Sequence, residues 1–222
     1  MLIKAVIFDM DGLMFDTERL NKDKMEEVLR LYGYKIHDEI FYKTIGISKY
    51  SAINEFISFY GSNFPYEEIF RKRRSIINDY IEKNGVPIKY GLVELINYLK
   101  DNKIKIIVAT SSYRKLANYL LSKANIINDV NFLVCGDDIN KSKPAPDIFL
   151  KALDISNTKS YDAVVLEDSA MGIIAANRAN IKAIAIPDIF PIKEEIKRIC
   201  FREFTNLKSV KEFLFKNNNI LR

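Results

Sequence analysis

Two aspartates stand one residue apart at the end of an apolar run. In "VIFDMDGLMFDTERL" (6–20), Val6-Ile7-Phe8 delivers Asp9, Met10 and Asp11, then Gly12. An aspartate can attack phosphorus and divide a difficult displacement into two easier steps. A second carboxyl two residues on can protonate the leaving oxygen and later activate water. Side chains alternate along a strand, so Asp9 and Asp11 are expected on one side, with Met10 turned back to the core. Further polar groups follow later apolar runs. Thr110, Ser111 and Ser112 follow "IKIIVA", Glu167 and Asp168 follow "AVVL", and the loop "GDDINKSKPAPD" (136–147) carries Lys141 and Lys143. Carboxylates gathered at one edge repel unless a cation lies between them, and an all-oxygen set selects a hard ion, Mg²⁺ above all. A lysine, hydroxyls and backbone N–H groups at helix starts complete a cradle for a phosphoryl group. Each group alone has an ordinary structural use, as a turn, a helix N-cap or a loop exit. All of them in order, each behind a buried strand, point to chemistry.

The elements that must position these groups are legible as periodic patterns. Apolar runs at 3–9, 104–110, 132–136, 163–168 and 182–187 are continuous rather than alternating. That suits strands buried on both faces of a parallel sheet. Segments 92–102, 114–125 and 146–155 repeat apolar residues at three- and four-residue steps, and 169–180 is small and apolar enough to pack closely on a sheet. Strand and helix alternating in this way predict a doubly wound α/β fold, in which loops at the carboxyl ends of the strands meet at one edge. The interval after the first strand differs. It holds helical patterns at 20–33, 51–61 and 66–85, each ending in glycine (Gly33, Gly61, Gly85), and no convincing strand. An insertion of this length is too long for a connection. The expected organisation is a core of residues 1–15 and 87–222 with a helical cap of residues 16–86.

Composition narrows the class. With 222 residues and 48% hydrophobic content, the chain can bury one core and a small inserted one. No apolar run approaches the roughly 18–20 residues of a membrane span. The start passes directly into a strand-like run without the pattern of a signal peptide. Two cysteines, Cys135 and Cys200, are too few for a disulfide framework. A cytoplasmic protein is therefore expected, monomeric by default. The formal charge of +5 is mild, and "RKRR" (71–74) is the one dense basic cluster, so neither nucleic acid nor membrane is an expected partner. One histidine, His37, argues against chemistry built on a histidine base or a His-rich metal site.

Over essentially the whole chain, the motifs resemble the haloacid dehalogenase superfamily: "FDMDG", "VATSS", "KPAPDIF" and "LEDSAMGI" correspond in order to its four motifs. The helical insertion with "GLMFDTERL" is similar to the β-phosphoglucomutase-like group of sugar-phosphate phosphatases and mutases. The resemblance implies a HAD-like Rossmannoid core and roles residue by residue. Asp9 would be the nucleophile and Asp11 the general acid/base. Mg²⁺ would be held by the Asp9 carboxylate, the Asp11 backbone carbonyl and Asp168, with Glu167 a ligand or just behind. Thr110, Lys143 and the Ser111 backbone would bind phosphoryl oxygens, Ser112 and Arg114 would meet a polar or second phosphate group, and the substrate would be a small phosphorylated metabolite. The cap would close over the site, with Gly46, Ser48 and Lys49 in a substrate-contacting loop and an arginine of 71–74, Arg73, reading a charged part of the substrate.

Two departures bear on the reaction. Mutases of this group carry a histidine shortly after the "DT", where this chain has Asn21, and their cap arginine is here Lys49. An amide cannot exchange a proton as imidazole does, and lysine lacks bidentate phosphate geometry. Both favour a phosphatase over a phosphosugar mutase; a non-catalytic ligand-binding protein on the same fold is the third alternative.

Overall fold

The computed structural model describes residues 3–44 and 49–218. The chain divides into two compact units, one of residues 1–16 and 86–222, the other of residues 17–85. In the first, a six-stranded all-parallel sheet is formed by β1 (Ala5–Phe8), β2 (Lys105–Ala109), β3 (Phe132–Val134), β4 (Ala163–Glu167), β5 (Lys182–Ala185) and β6 (Arg202–Glu203). Their spatial order is β3-β2-β1-β4-β5-β6. Five of these strands lie within the apolar runs of the sequence. The sixth carries two exposed charged residues and has no apolar signature.

Burial on both faces explains the continuous runs. Ala5, Ile7, Ile107, Ala109, Val165 and Ala183 belong to one core cluster, together with Ile148 and Phe149 and with Ile173, Ala175 and Ala176. The alternate residues Val6, Phe8, Ile106, Val108, Val164 and Leu166 are equally buried.

The second unit is helical. It comprises α1 (Thr17–Leu31), α2 (Asp38–Lys43), α3 (Lys49–Tyr60) and α4 (Tyr66–Asn84). The short α2 breaks no periodic pattern and was not signalled by one. With only about 69 residues, such a unit has little area to bury, and it relies on aromatic rings. Phe56 stacks on Phe64 with centroids 5.7 Å apart, and Tyr66 on Phe70 at 3.8 Å, around Met25, Val28, Leu29, Ile40 and Ile69. His37 sits here, its ring 5.0 Å from that of Phe59.

Returning to the first unit, the sheet is completed by α5 (Leu92–Asp101), α6 (Arg114–Lys123), α7 (Asp147–Ile155), α8 (Ala170–Arg178), α9 (Glu194–Lys197) and α10 (Leu207–Asn218). Where the chain leaves and re-enters this unit, the two segments pair. Asp16 N donates to Pro87 O at 2.8 Å, Lys89 N to Met14 O at 2.9 Å, and Lys89 Nζ bridges Asp16 and the buried Asp188 at 3.3 and 2.5 Å. No helix among the described residues is long and apolar enough to cross a membrane.

Candidate active site

Strand order reverses around β1, which has β2 on one side and β4 on the other. In an open α/β sheet the crevice beyond such a reversal is where ligands bind. Pairing continues one step past the strands: Asp9 N donates to Leu166 O and Thr110 N to Val134 O, both at 3.0 Å. Asp9, Thr110 and Glu167 therefore share one edge, with exposures of 8%, 1% and 0%.

Beyond Asp9 the chain turns instead of extending. Met14 N and Phe15 N both donate to Met10 O at 2.9 and 3.1 Å, and Gly12 N donates to Phe15 O at 2.9 Å. Asp11 thus lies past the strand, and this turn, rather than strand alternation, sets its direction; Met10 is buried as expected. Gly12 has φ +84°, and a Cβ there would come within 2.3 Å of Asp168 Oδ2. Only glycine lets the turn press against the carboxylate delivered by β4.

Lys143 crosses from the loop after β3 to the acids. Its Nζ donates to Asp9 Oδ1 at 2.5 Å and to Glu167 Oε1, and its side chain is 8% exposed. Lys141, two residues earlier, is exposed. The other Glu167 oxygen accepts from Ser169 N at 3.0 Å and Ser169 Oγ at 2.9 Å, and Ser169 Oγ accepts from Gly172 N at 3.1 Å as the N-cap of α8. A Cβ at Gly172 would fall 1.7 Å from Glu167 Oε1. The start of α8 is consequently built around this carboxylate, which gains from the helix dipole. Ser169 and Gly172 were not picked out individually by sequence reasoning; their signal was the serine following "ED" with a glycine three residues later.

The hydroxyl residues divide their tasks. Ser112 N donates to Thr110 Oγ1 at 3.0 Å, and Ser112 Oγ donates to Asp11 Oδ2 at 2.8 Å. Ser111 is exposed, and its carbonyl lies against Gly136, where a Cβ would approach to 2.3 Å. Arg114 is drawn to β3: its guanidinium donates to Leu133 O at 3.1 Å and to Asp138, and its N–H donates to Asp137. Asp137 and Asp138 with buried Cys135 form a group of metal-ligating types whose ligand atoms lie within 4.8 Å of one another. The Arg114 guanidinium pairs with one of its two carboxylates, that of Asp138. Burial pushes the Cys135 thiol up to about 11.

In the helical unit, Arg73 lines a cavity of about 170 Å³ with Glu18, Asn21, Phe41, Thr44, Ala52, Phe56 and Phe70. Its guanidinium lies 4.4 Å from the centre of the Phe70 ring, and its buried Nε has no hydrogen-bond partner among the described residues. Burial lowers its pKa from the ordinary arginine value. Arg71, Lys72 and Arg74 are exposed. Lys49 begins α3, while Gly46 and Ser48 lie outside the described residues.

The electrostatics of the sheet edge fit a cation. Asp9, Asp11, Glu167 and Asp168 converge there with Lys143 as the lysine among them. Burial raises the Asp9 carboxyl to about 7; Lys143 opposes the shift, and Glu167 and Asp11 add to it. Asp168 is raised well above the usual carboxylate range, by burial first and then by Glu167 and Asp9. Burial works against the Lys143 ammonium, yet Asp9 and Glu167 outweigh it, and its pKa lies above the ordinary lysine value. An excess of buried carboxylate oxygen over positive charge is the donor set a hard divalent ion takes.

Residues 6–186 match the family model described as haloacid dehalogenase-like hydrolase. The chain belongs to the haloacid dehalogenase-like hydrolase family. A Drosophila melanogaster protein named as a probable pseudouridine-5′-phosphatase is 32% identical over 188 residues, 82% of this chain and 80% of that relative. A phosphorylated carbohydrates phosphatase of Thermotoga maritima is 28% identical over 187 residues, 82% of this chain and 84% of its own. A solved Thermotoga maritima protein, assigned provisionally as a β-phosphoglucomutase, superposes with a TM-score of 0.82 at 22% identity, covering 96% of this chain and 99% of that one. At that identity the likeness establishes the shared fold of this hydrolase: an α/β core with a parallel sheet.

Proposed function

We propose that this hydrolase is a Mg²⁺-dependent phosphatase of a small phosphomonoester, a sugar phosphate or similar metabolite, working through an aspartyl-phosphate on Asp9. The observation that carries the reading is Lys143, buried between Asp9 and Glu167 at the edge where β1, β2 and β4 end. A cation fixed against the nucleophile is placed to neutralise a phosphoryl group whose charge spreads over its oxygens. Thr110 accepts the Ser112 N–H, so its single hydroxyl proton is left to donate to a phosphoryl oxygen.

Asp9 attacks phosphorus as the leaving oxygen departs, and Asp11 gives that oxygen a proton. Water then cleaves the Asp9–phosphorus bond and returns a proton to Asp11. Asp9, Asp168 and the Asp11 carbonyl would hold Mg²⁺, with Glu167 behind them against Lys143 and Ser169. When bound, the ion supplies further neutralisation of the transferring group.

The named activities of the two curated relatives support a phosphorylated, sugar-bearing substrate. Asn21 donates its amide to Thr17 O at 2.9 Å, an anchoring contact with no proton to exchange, which favours hydrolysis over mutase chemistry. The test is phosphate release from a panel of sugar and nucleoside monophosphates with and without Mg²⁺, with conversion of β-glucose 1-phosphate to glucose 6-phosphate followed in parallel. Mg²⁺-dependent release is the expected result. Isomer conversion without free phosphate would replace the phosphatase reading with the mutase.

A further inference from the structure

Sequence resemblance assigns Ser112 to the substrate, but its side chain is engaged elsewhere. The Oγ donates to Asp11 Oδ2 at 2.8 Å across 101 residues of sequence. The rest of the residue is pinned from two other sides. Its N–H is held by Thr110 Oγ1 at 3.0 Å, and its carbonyl accepts from Gly136 N at 3.0 Å. Gly136 in turn packs so closely on the Ser111 carbonyl that a Cβ would stand 2.3 Å from that oxygen. The loops after β2 and β3 therefore lock Ser112, and Ser112 reaches over to the turn after β1.

Asp11 needs such a hold. It lies beyond the end of β1, in a turn, so the sheet does not restrain its side chain. A carboxyl that must deliver a proton to one oxygen and later take one from water has to keep the same orientation through both half-reactions.

From this geometry we infer that Ser112 is a positioning residue for Asp11: its hydroxyl holds one carboxyl oxygen of Asp11 so that the proton is exchanged from the other. The inference rests on the phosphatase reading above. In the first half-reaction the bond between phosphorus and the leaving oxygen breaks as the Asp9 oxygen bonds phosphorus, and the Asp11 proton goes to the leaving oxygen. In the second, water oxygen bonds phosphorus, the Asp9–phosphorus bond breaks, and a water proton goes to Asp11. Ser112 keeps its own proton throughout.

A positioning role for a proton donor depends on the leaving group, which a purely structural or substrate-binding role does not. With purified protein and Mg²⁺, kcat and KM would be measured for Ser112→Ala and Ser112→Thr on 4-nitrophenyl phosphate, phenyl phosphate and glycerol 3-phosphate. 4-Nitrophenolate departs without a proton, whereas the glycerol alkoxide requires one. The inference expects Ser112→Ala to lower kcat/KM, which reports the first half-reaction alone, about 10- to 100-fold on glycerol 3-phosphate and about threefold or less on 4-nitrophenyl phosphate, with phenyl phosphate between. Ser112→Thr, which keeps the hydroxyl, should recover most of the loss. Equal losses of kcat/KM across the three substrates, or a rise in KM with kcat intact, would overturn it. Asp9→Asn run beside them separates the two levels. Turnover that survives this substitution strikes the aspartyl-phosphate reading itself, whereas abolished turnover with a flat Ser112→Ala response strikes only the inference.

Discussion

At the sheet edge of the core unit, Lys143 has two carboxylates, Glu167 has Lys143 and Ser169, and Asp11 has the Ser112 hydroxyl. In the cavity of the helical unit, the Nε of Arg73 has no partner among the described residues, and its guanidinium rests on an aromatic ring. The first region is arranged in advance, with Lys143, Glu167 and Asp11 each on a fixed group and carboxylate in excess over positive charge. The second offers shape, aromatic surface and, among the described residues, an unsatisfied donor. Electrostatic catalysis needs groups that do not reorganise when charge develops, and recognition can leave a polar group to be satisfied by a ligand. On this comparison, substitutions at the sheet edge should change turnover, and those in the helical unit should change which compound is taken.

The strongest test is Asp9→Asn. Loss of the nucleophile should lower kcat more than about 10³-fold on every substrate, read by phosphate release. The fold should not suffer. Asp9 is held at about 7 in the folded protein against an ordinary 3.8, so the folded state binds a proton that the unfolded state lacks between those values. Metal-free wild type should therefore lose stability as pH rises from about 4 to about 7, and Asp9→Asn should flatten that slope in thermal melts in EDTA. A residual slope belongs to Asp168, which is raised as well. A melting profile identical to wild type at every pH would break the reading that burial and neighbouring acids hold a proton on Asp9.

Lys143→Ala attacks the same arrangement from the other side. Removing the buried ammonium leaves Asp9 and Glu167 without their shared counter-charge, and breaking a buried pair in this way costs about 3–5 kcal/mol. Urea unfolding measures it. The loss should shrink as pH falls and Asp9 takes up a proton, and Mg²⁺ should restore part of it at neutral pH.

How these regions read from sequence follows from what carries the signal. Asp9, Thr110 and Glu167 were legible because each follows a continuous apolar run that could only be a buried strand, and chain order then placed them at one edge. Strand β6 was not, since Arg202 and Glu203 are both exposed and belong to no run. The direction of Asp11 was expected on strand alternation, yet the turn bonded to Met10 O sets it. Ser112 and Arg114 were legible as polar groups near the edge, but their partners, Asp11 and Asp138, come from other loops that no local pattern connects. Among four consecutive cations, Arg73 is the half-buried one because it follows the buried Ile69 by four residues and so shares its helix face.

Gly172→Ala should have an intermediate effect. A methyl group 1.7 Å from Glu167 Oε1 cannot be accommodated in place, so either the carboxylate or the first turn of α8 must shift. Overpacking of this kind costs about 1–3 kcal/mol, and a displaced Glu167 would loosen Lys143 as well. Activity should fall about 10- to 100-fold through kcat, since sub-ångström misplacement at a preorganised site is felt in the transition state. Wild-type kcat in this variant would mean that Glu167 need not be held so tightly.

The smallest effect on the fold, and the clearest contrast, should come from Arg73→Ala. The side chain contributes packing against Phe70 but carries a buried donor with no partner among the described residues, so its removal sacrifices contact area while relieving that group. The two terms oppose, and the net change in stability should stay within about 1 kcal/mol in urea unfolding. Its consequence for catalysis should lie in KM. Across the phosphomonoester panel, kcat on the small 4-nitrophenyl phosphate should stay within about threefold of wild type. KM should rise unequally from compound to compound, by up to about tenfold, a loss of roughly 1.4 kcal/mol of binding. Arg73→Lys should recover little of this, because an ammonium keeps the charge but not the Nε donor or the flat contact with the ring. A uniform fall in kcat across the panel would instead place Arg73 with the residues of the sheet edge and dissolve the division between a site that reacts and a site that selects.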